Sequence, residues 1–413
     1  MKKVLIWDDF PLQNMGGPMG YCFQIHEYLK TYPTEQITFL SDLLPEDQRT
    51  VWNKNTETVE PVLTGKYRIL NAVGLLKPYL FLADLKNSFK GFYAIRYRKG
   101  GKSLPSYINL NDYDFIHFHW TKDLSTFKHE HPEYKGKLIL TSHSPSPISE
   151  EVFAHLPAWK KWLFWDIEFR HECQTYDLAD YILFPCEGAR EPYEKYPRMK
   201  AAMTRNNNKF VYVPSAILDL KVDENTMQKY SDLGVPENSF VITYFGRHNH
   251  VKGYDILKEI GSKLLDRYLN LYFLVAGNVE IKPLQHPRWK ELGFIRNANE
   301  LMLQSNLYVL PNRETYFDLV TLEVLRAGVP VVLSDTGGNR FFHKYSDEET
   351  FGMKFFGIDD IDMAVRHIES IIGTRSGDIA AYNKMKVANR KLYLENFTVD
   401  GFVSRYTDII NNL

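Results

Sequence analysis

At 413 residues the chain is long enough for two or three domains of ordinary size. Its 44% hydrophobic and 24% charged content belongs to a globular protein with ample core, and a net charge of -1 excludes an overall electrostatic footprint for nucleic acid. Cys22, Cys173 and Cys186 have no CxxC spacing, which excludes a disulfide framework and a zinc site and suits a reducing compartment. The opening Met-Lys-Lys-Val-Leu-Ile-Trp has too short an apolar run for a signal peptide, and no later run approaches the roughly 18 apolar residues of a spanning helix. The expectation is a cytoplasmic protein, with peripheral contact at the inner face of the plasma membrane left open.

In chain order, Val4 to Trp7 reads as a buried strand that Asp8-Asp9 ends. A glycine-rich loop at Gly16-Gly17 follows, then a helix from Tyr21 to about Tyr32. Residues 41 to 110 carry little periodic signal. Within them Lys86, Lys90, Arg96, Arg98, Lys99 and Lys102 interleave with Phe89, Phe92, Tyr93 and Ile95, a mixture suited to an anionic bilayer or to a solvated helix face. Tyr113 to Trp120 reads as a strand with His117 and His119 on one face, because side chains alternate. Lys137 to His143 is the next strand, with His143 at its carboxyl end. Residues 149 to 179 are strongly helical, and Trp159, Trp162, Trp165 and Phe169 form a stripe expected to lie in the core. Short strands at Ala179–Pro185 and Phe210–Pro214 complete a doubly wound domain, and Asp219 to Asp232 reads as a linker.

The second half opens with a strand at Phe240 that ends at Gly246, with Arg247 and Lys252 in the loop beyond it. A helix from Tyr254 to Leu265 and a strand at Leu271–Gly277 follow. Then comes the most informative stretch. Leu307 to Leu310 is a strand stopped by Pro311. Asn-Arg-Glu-Thr-Tyr-Phe is a loop, and Asp318 stands where a helix N-cap belongs. Leu319, Leu322 and Leu325 carry the helical period, Gly328 and Pro330 stop it, and Val331 to Leu333 form a buried strand ending in Gly337-Gly338. Such a unit places its loop and helix start at the carboxyl ends of parallel strands, where ligands bind, and free amides there suit a diphosphate. From Ile358 to Leu413 the pattern is helical.

These motifs resemble the GT-B glycosyltransferases of family 4. The resemblance rests on Gly246-Arg247 with Lys252-Gly253, on Glu323, and on Gly328-Val-Pro-Val-Val with Gly337-Gly338. It runs through almost the whole chain in order, strongest from 240 to 340. The family places a first Glu eight positions before the second. Here that position is Thr315, and Glu314 stands one residue earlier; either the loop has one extra residue or Asp318 takes part of the role.

The resemblance implies an α/β GT-B architecture of two Rossmann-like doubly wound domains facing each other across a cleft. Residues 1–222 would form the acceptor-side domain and 223–395 the nucleotide-sugar domain, with a terminal helix, 396–413, crossing back. It implies a retaining transferase that uses a nucleotide-diphosphate sugar, without a metal or other cofactor, on a glycan or lipid-linked acceptor of a bacterial surface polysaccharide. Arg247 and Lys252 would hold the diphosphate and Glu323 the ribose. Thr315, Tyr316, Phe317, Asp318 and Leu319 would line the donor, as would Gly16 and Gly17. His143 and Glu314 would stand at the reacting centre. A non-catalytic GT-B subunit that binds glycan or chaperones a partner transferase is the alternative. Either reading leaves a homo- or hetero-oligomer open.

Overall fold

The computed structural model describes residues 1–14, 17–50, 75–96, 104–220, 222, 227–295 and 298–413. It divides into two compact units. Unit 1 is Met1–Cys22, Thr34–Leu183 and Tyr193–Val211; unit 2 is Phe23–Pro33, Phe184–Pro192 and Tyr212–Leu413.

Unit 1 is built on a six-stranded sheet in the order β2-β1-β3-β4-β5-β6. Its strands are β1 (Val4–Trp7), β2 (Ile37–Phe39), β3 (Phe115–Phe118), β4 (Lys137–Leu140), β5 (Tyr181–Phe184) and β6 (Phe210–Tyr212). The pairings from β2 through β5 are parallel. β1 and β3 are buried along their whole length, as strands covered on both faces must be. Trp7 pairs with Phe118 in register, and both rings pack on Phe127 of the Thr121–Glu130 helix. Alternation sends His117 and His119 to the opposite face, where their rings lie 4.3 Å apart, as the spacing requires.

Three expectations are corrected in this unit. The strands expected at 113–120 and 137–143 are only four residues each, so His119 and His143 sit in the loops just past them. The long helix from 149 is two helices, Ile148–Ala154 and Ala158–Leu178, with Pro157 between them. Its aromatic stripe is only partly core. Trp165 stacks on buried Phe169 at 4.9 Å, but Trp162 is 83% exposed, because the first turns pack sideways on another helix. That neighbour, Leu76–Arg96, runs through the stretch that was hard to read. Its Phe81 meets Trp159, its Phe89 meets Phe164, and its Asp84 pairs with Lys160 at 2.7 Å. Lys86 and Lys90 are exposed on it, whereas Arg98, Lys99 and Lys102 lie outside the described residues.

Unit 2 carries a second six-stranded sheet, parallel throughout, in the order β12-β11-β10-β7-β8-β9. The strands are β7 (Phe240–Phe245), β8 (Leu271–Ala276), β9 (Trp289–Glu291), β10 (Leu307–Leu310), β11 (Val331–Ser334) and β12 (Met353–Phe356). Ile242, Phe273 and Val309 of the sheet pack with Leu257, Ile260 and Ile368 from the Tyr254–Leu265 and Ile361–Gly377 helices. The Leu319–Ala327 helix ends, as its sequence demands, with Gly328 left-handed at φ 64° and its amide on the Leu325 carbonyl. The three C-terminal helices start on side-chain caps from Asp360, Asp378 and Thr398. Among the described residues no helix is long and apolar enough to cross a membrane.

Two local features of these sheets carry testable consequences. Gly253 adopts φ +63° directly against the Pro311 carbonyl, so a Cβ there overlaps backbone as well as straining the turn. Gly253→Ala is expected to cost about 2–4 kcal/mol in urea unfolding, while Gly357→Ala, whose Cβ meets open space, stays within about 0.5 kcal/mol. Asp8, one residue past β1, accepts the Ser41 amide at 3.0 Å through one oxygen, and its other oxygen is buried with no hydrogen bond. Burial pushes its carboxyl up to about 6. Between pH 4 and 6 the unfolded chain has released this proton and the folded chain has not, so stability falls as pH rises through that window. Asp8→Asn removes the loss, and its stability relative to wild type should climb by about 1–3 kcal/mol from pH 4 to pH 7.

Candidate active site

In an open parallel sheet the crevice forms where neighbouring strands send their connections to opposite sides. In unit 2 that point lies between β7 and β10, since β7 leads on to β8 and β9 while β10 leads to β11 and β12. The two loops at their carboxyl ends carry most of the residues singled out by sequence. After β7 come Arg247 and Lys252; after β10 come Glu314 to Leu319. The loops are locked together. Arg313 forks onto Asp255 at 2.6 and 2.8 Å, and its amide bonds the Val251 carbonyl at 2.9 Å. The Tyr308 hydroxyl bonds both the amide and the carbonyl of Phe245, just before Arg247.

Lys252 points to the start of the Leu319–Ala327 helix and ion-pairs with Asp318 at 2.7 Å. This revises the cap expectation. Asp318 does occupy the N-cap position with extended backbone, but its carboxylate caps no helix amide. It takes Lys252 and the Asn312 side-chain amide instead. Arg247 is half-buried and lies, like Asp318, within electrostatic reach of the Tyr244 hydroxyl.

Glu323 sits on the second turn of the same helix, partly buried. It makes no hydrogen bond among the described residues. Desolvation pushes its carboxyl above the usual carboxylate range, and Arg326 offsets only part of this. Tyr308 feels the charges of both Glu323 and Asp318, so the two carboxylates and Lys252 share one neighbourhood. A carboxylate in that condition is a ready acceptor for paired hydroxyls.

The loop between is built differently. Thr315, Tyr316 and Phe317 are buried, with Thr315 fully so, and can offer a ligand only backbone. Gly337 and Gly338 explain why. A Cβ on Gly337 would strike the Thr315 carbonyl and one on Gly338 the Tyr316 carbonyl, while the Gly338 amide bonds Thr315 at 2.8 Å. The glycine pair thus presses β11's end against the loop. The Gly337 amide is taken by Glu191 at 3.1 Å. Glu314 is half-buried at the loop edge, and Leu319 opens the helix.

Unit 1 has its own switch point, between β1 and β3. Asp8 and His119 lie there, one residue past the paired ends Trp7 and Phe118. His119 Nδ1 meets His143 Nε2 at 2.8 Å, His117 Nε2 meets the Thr141 hydroxyl at 2.7 Å, and Tyr21 covers both His119 and His143. Burial drives all three imidazoles below the usual histidine range, His119 to about 3, so they are neutral hydrogen-bonding groups at working pH. Gly17, at φ 75°, opens the Pro18–Thr31 helix, and Gly16 lies outside the described residues. Among the described residues no group of three or more His, Cys, Asp or Glu could hold a metal ion. Sequence reading passed over Asp8 and Asn312. The signal available was their place, a polar residue just past a buried strand.

Residues 239–370 match the family model described as glycosyl transferases group 1. An uncharacterised glycosyltransferase of Methanocaldococcus jannaschii is 28% identical over 117 residues, covering 26% of this chain and 30% of its own length. The chain thus spans about a third of that relative. A 41.2 kDa protein of the cps region of Klebsiella pneumoniae is 23% identical over 312 residues, covering 73% of this chain and 80% of its own length. Anabaena HepE, solved in complex with UDP and glucose, superposes over 100% of both chains with a TM-score of 0.58 at 14% identity, a likeness of fold. The match over residues 239–370 makes that stretch similar to the glycosyl transferases of group 1, and the two six-stranded sheets have the GT-B fold.

Proposed function

We propose that the chain is a retaining family-4 glycosyltransferase, needing no metal, that moves a sugar from a nucleotide-diphosphate sugar to a glycan or lipid-linked glycan in bacterial surface polysaccharide synthesis. The observation that carries this is Glu323: a desolvated carboxylate with no hydrogen bond among the described residues, within electrostatic reach of Tyr308 as is Asp318, the partner of Lys252. In this reading Glu323 accepts the ribose hydroxyls, and Arg247 and Lys252 neutralise the diphosphate as charge grows on it. His143, held neutral, hydrogen-bonds the reacting sugar or acceptor. Retention, the metal-free chemistry and the family number come from the motif resemblance. The polysaccharide role is supported by the Klebsiella cps-region relative, and a uridine donor by the UDP bound in the Anabaena structure.

The alternative, a non-catalytic subunit, draws on one feature. The residue eight positions before Glu323 is the fully buried Thr315, not an acid. A thermal-shift panel of UDP, GDP, dTDP and their sugars separates the two. Selective stabilisation by one sugar nucleotide is expected, and Glu323→Gln should weaken that ligand about 10–100-fold while leaving the free protein as stable or more so. No response to any nucleotide, with a transferase co-purifying, turns the assignment to the subunit.

Peripheral membrane contact is part of the proposal. Leu82 and Phe89 are exposed on the Leu76–Arg96 helix that also carries the exposed Lys77, Lys86 and Lys90 in unit 1. Reversing those three lysine charges should abolish sedimentation with anionic liposomes; unchanged sedimentation removes the membrane from the account.

A further inference from the structure

Lys252, the lysine assigned to the diphosphate, already has an anion. Asp318 sits 2.7 Å from its ammonium, and the two side chains are only 18% and 13% exposed. Asn312 donates to the same carboxylate oxygen, and the other polar atom of Asn312, its amide oxygen, is buried with no hydrogen bond. Since Asp318 caps no helix amide, holding Lys252 is what its carboxylate does. A fixed negative charge therefore stands where the last phosphate of a bound donor has to come.

That charge acts unequally on donor and product. In transfer, the C1–O bond to the terminal phosphate breaks and its electron pair stays on the phosphate oxygen. The acceptor oxygen bonds to C1, and its proton ends in bulk water. The terminal phosphate, a singly charged diester in the donor, becomes a monoester whose second ionisation lies near pH 6, so it gains a charge at neutral pH. Resting on the donor assignment above, we propose that Asp318 is a selectivity residue. It competes for Lys252 and repels the added charge, so the site favours the sugar-linked diphosphate over the freed nucleoside diphosphate and speeds product release. Like charges a few ångströms apart in a partly buried site interact strongly enough to matter for affinity.

The test is titration calorimetry on the full chain and on Asp318→Asn, which keeps the side chain's shape and removes its charge, with Asp318→Ala as a second variant. The probes are the pairs UDP and UDP-glucose, GDP and GDP-mannose, and dTDP and dTDP-glucose. In the pair that binds, Asp318→Asn should tighten the nucleoside diphosphate about tenfold and the sugar nucleotide by about threefold or less, and product inhibition should tighten in step. Equal tightening of both, or weakening of both by a variant that melts like wild type, overturns the proposal and makes Asp318 a mere support for Lys252. Binding of no pair by wild type or variants overturns the donor assignment itself, and this proposal with it.

Discussion

Everything at the candidate site follows from a constraint of parallel sheets. Connections from adjacent strands must cross over one face or the other, and where two neighbours choose opposite faces their carboxyl ends stay uncovered. β7 and β10 are such a pair in unit 2, and β1 and β3 in unit 1. The uncovered ends cannot be filled by apolar side chains from a crossover helix. Polar residues collect there: Arg247, Lys252 and Asp318 in one unit, Asp8, His119 and His143 in the other. Their chemistry differs because their burial and partners differ. In unit 1 the imidazoles lose their charge to burial and bond one another or a hydroxyl. In unit 2 Lys252 pairs with Asp318 and, like Glu323, both stay only partly buried.

The family motif and its local departures fit the same picture. Glycines 337 and 338 matter because backbone must lie on backbone at the Thr315 loop. That close approach buries Thr315 and leaves little room for an acid at this position. Asp318, three residues on, is the carboxylate that Lys252 meets. The irregular spacing between Glu314 and Glu323 is thus not a register slip in the helix, which begins at Leu319 and ends at Gly328 as its own sequence requires.

Much of the fold was legible in the sequence. Strands β1, β7, β8, β10 and β11 announce themselves as unbroken apolar runs, because a strand buried on both faces has no polar alternation to confuse it. Three of the four edge strands were not read. Ile37–Phe39, Trp289–Glu291 and Met353–Phe356 are three or four residues long with a polar residue inside, too short for any period to show. Lys252 and Glu323 are singled out by motif. The Lys252–Asp318 pair is not, since its partners lie 66 residues apart and a local rule makes Asp318 a cap. The exposure of Trp162 escaped for a similar reason: a helix's buried side depends on neighbours that spacing alone does not name.

The fork of Arg313 on Asp255 has a mechanical corollary. With Gly253 seated on the Pro311 carbonyl, it makes the segments after β7 and β10 a single plate instead of two hinged flaps. Damage to one rim of such a plate is felt at the other. Substitutions in the two segments should therefore combine non-additively, even between residues that never touch.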